Sequence, residues 1–119
     1  MSLQDLKKLF ETNWFGAYQD GLRTRFLANQ MVYDYNYKYE NTVKLLQVVL
    51  RKEKSHAMVL FYESGVLKFD YYIDGKQNCE RFKNCSQEDF NLMLAHAFLV
   101  LKDKNFEFHK EWYSKLELN

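Results

Sequence analysis

The chain has 119 residues, of which 47% are hydrophobic and 18% aromatic, enough for one core and against either a disordered chain or a second domain. Its 17 basic and 16 acidic residues leave a formal charge of +1, so gripping a phosphate backbone would require a segregated basic patch, and none stands out. The longest apolar run, residues 92–101, is interrupted by His96 and falls short of the roughly 18–20 residues that span a bilayer.

From the N-terminus, Met1 to Lys8 shows no apolar h-region and no small-residue cleavage site, so a cytoplasmic, membrane-free protein is the expectation. Residues 2–12 read as a short amphipathic helix. Ser2 is placed to cap it with Asp5 three positions later, and Leu3, Leu6, Leu9 and Phe10 form one stripe opposite Gln4, Lys7, Lys8 and Glu11. The Asp20-Gly21 dipeptide between residues 14–18 and 22–27 reads as the turn of a hairpin.

The most distinctive run follows, Tyr33-Asp34-Tyr35-Asn36-Tyr37-Lys38-Tyr39. Tyrosine at every second position is the period of a β-strand, with an aromatic face opposite one carrying Asp34, Asn36 and Lys38. Residues 42–51 are apolar without clean alternation, and their β-branched content favours a buried strand over a helix. Ser64-Gly65 and Asp74-Gly75 then divide residues 57–63, 66–73 and 76–83 into a three-stranded antiparallel meander. Its last strand is polar, as suits a sheet edge.

Ser86 with Asp89 marks a helix start, and the helix runs to about Lys102. Its body is apolar almost all round, which demands cover on more than one side. A second helix is expected over residues 106–116, where Phe108, Trp112 and Leu116 recur at helical spacing. The fold class expected is α+β: an antiparallel sheet of five to seven strands with an N-terminal helix and a C-terminal helical pair on one face, as a single domain over residues 1–119.

Little in the chain points to catalysis. His56, His96 and His109 have no metal-site spacing, so no metal or cofactor is expected. His96, in an apolar helix, reads as a hydrogen-bonded core histidine. Cys79 and Cys85, separated as C-x5-C, read as reduced thiols rather than a disulfide framework or zinc ligands. Asn84-Cys85-Ser86 fits the glycosylation sequon by chance, no secretion signal accompanying it. Asp70 and Asp74 share strand parity with Tyr72, but read as a solvated face and a turn residue rather than a carboxylate pair. No phosphate-cradling loop can be built from the four glycines.

The tyrosine stripe is the candidate site. As core it would bury rings of ~150–250 Å² each. Four tyrosines without a phenylalanine argue for a half-wet face, because a buried phenol left unpaired costs ~1–3 kcal/mol. The expectation is a non-catalytic protein-binding module of the inhibitor, immunity or adaptor kind, using an aromatic sheet face or a sheet edge, with Tyr33, Tyr35, Tyr37, Tyr39, Arg23 and Arg25 as partner-binding residues. A homodimer is compatible with the same surface. The alternatives are a small-ligand pocket floored by the stripe and, less favoured in a near-neutral chain, stacking of single-stranded bases on it.

Overall fold

Two-residue turns join most of the strands, so each strand pairs with the next in sequence. The computed structural model describes residues 2–15, 28–103 and 117–118. Helix α1 (Leu3–Phe15) is followed by β1 (Val32–Glu40), β2 (Val43–Lys52), β3 (Ser55–Tyr62), β4 (Leu67–Ile73) and β5 (Lys76–Lys83), then helix α2 (Gln87–Asp103) and a two-residue strand β6 (Glu117–Leu118). The sheet order is β1-β2-β3-β4-β5-β6, antiparallel throughout.

Turn chemistry sets the register. Asp74 and Gly75 both have positive φ, 52° and 83°, and connect the paired residues Ile73 and Lys76. That is the main-chain path a tight hairpin requires, available to Gly without cost and to Asp at little. Asn41 and Glu53, with φ of 58° and 55°, begin the two turns before it, closing Glu40 on Val43 and Lys52 on Ser55. Between β3 and β4 the turn is longer, held by Gly65 N–H donating to the Tyr62 carbonyl at 2.9 Å and Tyr62 N–H to that of Val66 at 2.8 Å.

Residues 43–52 form a strand, and the register explains their blurred alternation. Leu46, Val48 and Leu50 face the main core with Ala57, Val59, Phe61, Leu67, Phe69, Tyr71 and Ile73, while Leu45 and Val49 are buried on the opposite face. A strand buried on both sides reads as continuous apolar sequence.

Both helices begin as their sequences indicate. Ser2 Oγ accepts from Asp5 N–H at 3.1 Å. At α2, Asp89 N–H donates to Ser86 Oγ at 3.3 Å while the Asp89 carboxylate accepts from Ser86 N–H at 2.8 Å, a reciprocal capping box with Asp in the usual Glu position. Helix α2 packs chiefly across β3, with Phe90 edge-on to Phe61 at 5.9 Å and His96 edge-on to Phe69 at 5.4 Å. Helix α1 lies against β2, contributing Leu3 and Leu6 to the same core.

Two expectations are revised. The described residues contain one C-terminal helix rather than a pair; the second was placed on residues 106–116, outside the described residues. Trp14 and Phe15 belong to α1 rather than to a hairpin strand, since extending a nucleated helix gains one hydrogen bond per residue fixed. The remainder of that hairpin, residues 16–27, also lies outside the described residues.

Two stability changes are expected. Phe69→Ala, removing a ring with 0% exposure at the centre of the core, should cost about 3–5 kcal/mol in chemical denaturation. Ser86→Ala should cost about 1 kcal/mol in the same measurement, through loss of the cap.

Candidate functional site

Among the described residues the tyrosines occupy the terminal strand of the sheet, and their surroundings change along it. Tyr33, Tyr35, Tyr37 and Tyr39 stand opposite Leu50, Val48, Leu46 and Lys44 of β2, on the face that carries the helices. The first three are half-buried and packed against the main core, whereas Tyr39 is 69% exposed. The stripe is therefore neither a dry core wall nor an open aromatic surface: three of its four rings join the margin of the core.

Local chemistry differs from ring to ring. Burial pushes the Tyr35 phenol above its ordinary value, helped by the nearby Glu11 carboxylate and by Tyr33. Tyr37 is flanked by two ammonium groups, Lys44 Nζ 4.3 Å and Lys7 Nζ 5.0 Å from its ring centroid, each such contact being worth about 0.5–1 kcal/mol at an exposed site. Lys7 also reaches Glu11 at 3.9 Å along α1. These groups, with Gln4 and Lys8, line an open groove of about 400 Å³. It is polar and lysine-rich, unlike the closed apolar cavity a small-ligand site beside the tyrosines would call for.

The other side of β1 carries Asp34, Asn36, Lys38 and Glu40, all exposed, and Val32 at 60% exposure. Asn36 Nδ2 donates to Asp34 Oδ1 at 3.1 Å. Because Glu40 and Val43 close a two-residue turn, they form a hydrogen-bonded pair, and alternation then directs the main-chain groups of 40, 38, 36, 34 and 32 toward β2. The main-chain groups of the tyrosine positions are directed to the outer side of the sheet. Among the described residues β1 is paired on one side, to β2, with nine consecutive residues in unbroken register.

Behind the sheet lies a feature that the tyrosine period does not announce. Leu45, Leu60 and Tyr62 form a second buried cluster with Met58 and Val66, on the face opposite the helices. The Tyr62 hydroxyl donates to Glu40 Oε2, and Arg81 lies 5.7 Å from its ring centroid. Burial first, and then this bond, push the Tyr62 phenol up to about 12, against a lowering by Arg81. Asp70, expected on a solvated face, is half-buried opposite Met58 and Cys79, and its Oδ1 has no hydrogen-bond partner among the described residues. His56, on this face, stacks on Tyr72 at 5.8 Å. The sequence signal for the second face was the apolar residues of β2 on both parities; its polar contacts are long-range and leave no local mark.

Arg23 and Arg25 lie outside the described residues. His96 is buried at 3% exposure and packed on Phe69. Among the described residues, no three His, Cys, Asp or Glu side chains converge as a metal site, and no helix is long and apolar enough to cross a membrane. No family model, curated protein or solved structure matches the chain.

Two pH effects are expected. Burial raises the Glu80 carboxyl, so the folded state holds its proton to higher pH than the unfolded state does. Stability should then fall as pH rises from the ordinary carboxylate range through the raised value, and Glu80→Gln should flatten that slope in denaturation curves. For Tyr62, ionisation of the unfolded phenol near its ordinary value of 10.0 should erode stability until the folded group titrates at about 12. In an alkaline titration followed by tyrosinate absorbance, Glu40→Gln should move the Tyr62 step to lower pH.

Proposed function

We propose that this chain is a non-catalytic protein-binding module that engages its partner at β1, the terminal strand of the sheet among the described residues. The observation that supports this reading most is the form of that strand. Edge strands of soluble proteins are commonly shortened, bulged, interrupted by proline, twisted away or given charged side chains, as β1 is with Asp34, Lys38 and Glu40, to limit pairing with other chains. β1 has none of the first three: it runs for nine residues in continuous register and contains no proline.

Strand addition to such an edge supplies affinity through the main chain and selectivity through alternate side chains. The tyrosines supply the second component here. Rings anchored on the core margin lose little conformational freedom on binding, and their hydroxyl ends accept or donate hydrogen bonds to an incoming chain. Inhibitor, immunity and adaptor proteins are the functional kinds this surface suits, with a cytoplasmic setting proposed alongside.

Tyr37→Pro tests the reading, because the Tyr37 N–H is directed outward and a proline there removes an edge donor while leaving the β1–β2 hydrogen bonds in place. The variant should keep cooperative unfolding, at a lowered midpoint because the Tyr37 ring also leaves the core margin, yet lose the partner recovered by affinity capture and mass spectrometry with the unsubstituted protein. Capture unchanged by Tyr37→Pro would overturn edge binding. A paired comparison apportions the rings: Tyr39→Ser should change stability by no more than about 0.5 kcal/mol, whereas the Tyr35→Ser, Tyr37→Ser double variant should be visibly destabilised through lost core contact.

A further inference from the structure

We infer that the groove between helix α1 and the sheet receives an acidic segment of a partner protein, whose carboxylates are held by Lys7, Lys8 and Lys44. This rests on the protein-binding reading above and names the chemistry of the partner. The inference is carried by a segregation of charge that only the fold creates. Lys7 and Lys8 belong to α1 and Lys44 to β2, far apart in sequence, yet all three line one groove of about 400 Å³ with Gln4, Glu11 and Tyr37.

Local geometry explains the convergence. Gln4, Lys7, Lys8 and Glu11 stand at i, i+3, i+4 and i+7, so they run along one side of α1. Leu3 and Leu6 seat the helix on the core beside β2, which brings that polar side over the end of the strand pair. Lys44 stands opposite Tyr39 and Leu46 opposite Tyr37, so Lys44 and Tyr37 are diagonal neighbours on the helix-bearing face.

The groove carries more positive charge than its own residues neutralise. Three lysines face one carboxylate there, in a chain whose formal charge is only +1. Lys7 reaches Glu11 at 3.9 Å, whereas Lys8 and Lys44 form no ion pair among the described residues. The ammonium groups of Lys44 and Lys7 also share a single ring, at 4.3 and 5.0 Å from the Tyr37 centroid. The ring offsets part of their mutual repulsion, and an anion entering the groove relieves the remainder.

The arrangement favours carboxylates over phosphate. A compact phosphate is best held by donors converging on one point, commonly main-chain N–H groups or an arginine fork, and no arginine lines this groove. Ammonium groups spread over two elements complement a row of separate acidic side chains instead. Nucleic acid would need positive charge continuing beyond the groove, which a near-neutral chain does not offer.

A dye-labelled oligoglutamate peptide, titrated with the full chain at low salt and followed by fluorescence anisotropy, tests the assignment. The peptide should bind saturably, an oligolysine of equal length should not bind, and affinity should fall as salt is added. Lys44→Glu and Lys8→Glu should each weaken binding about fivefold or more. Lys54→Glu changes net charge equally, but lies exposed beyond the other end of β2, and should leave affinity within about twofold. Circular dichroism checks that each variant is folded, and exposed Lys8 provides a variant without a contact to the Tyr37 ring. Absence of saturable binding, equal losses in Lys54→Glu and Lys44→Glu, or tighter binding of inorganic phosphate than of the peptide would overturn the inference. Loss of partner capture in Tyr37→Pro, with peptide binding unchanged by both groove variants, would retain strand engagement and reject the groove.

Discussion

Parity set by two-residue turns is the constraint on which the rest of this structure depends. Once Glu40 is closed on Val43, Lys52 on Ser55 and Ile73 on Lys76, every side chain in those strands is assigned to a face, since successive strand residues point to opposite sides. The same closures decide which main-chain groups turn inward to a neighbouring strand and which turn outward. A shift of one residue at Asn41-Thr42 would exchange the tyrosines with Asp34, Asn36 and Lys38 across the sheet. It would take the aromatic stripe off the core and set charges against it.

The helices exploit that assignment unevenly. Helix α2 covers β3 and its neighbours with Phe90, Met93, Leu94 and Ala97, while α1 reaches the β2 side through Leu3 and Leu6. β1 lies at the margin of this cover, which is why phenols rather than phenyl rings suit it. Tyr33, Tyr35 and Tyr37 are half-buried and pack against the core, and a phenol suits such a partly wet position because its hydroxyl can remain solvated. Lys7 and Lys44 belong to the same margin, with their ammonium groups over the Tyr37 ring.

Among the described residues β1 is the terminal strand, and its composition carries opposing tendencies. Aromatic side chains and nine residues of unbroken register are features that favour strand pairing in general, whereas the charged Asp34, Lys38 and Glu40 are of the kind that discourage indiscriminate pairing. The Tyr62–Glu40 bond behind the sheet ties the end of β1 to β3, across β2. That link joins the end of β1 to the second buried cluster, of which Tyr62 is a member.

Local pattern determined much of this protein. The alternating tyrosines specified a strand, Asp74-Gly75 specified a hairpin turn, and Ser86 with Asp89 specified where α2 begins, because each rests on interactions within a few residues. The near-continuous apolar run of 43–52 indicated burial without showing that it faced two separate clusters, and Asp70 gave no sign of its half-buried position opposite Met58 and Cys79. Those outcomes depend on which strands become neighbours. For the tyrosine stripe, sequence period settled that four rings share one side; only the tertiary arrangement decided that this side is the edge of a core, graded from packed to exposed, since burial is a property of what lies across from a residue and not of the residue itself.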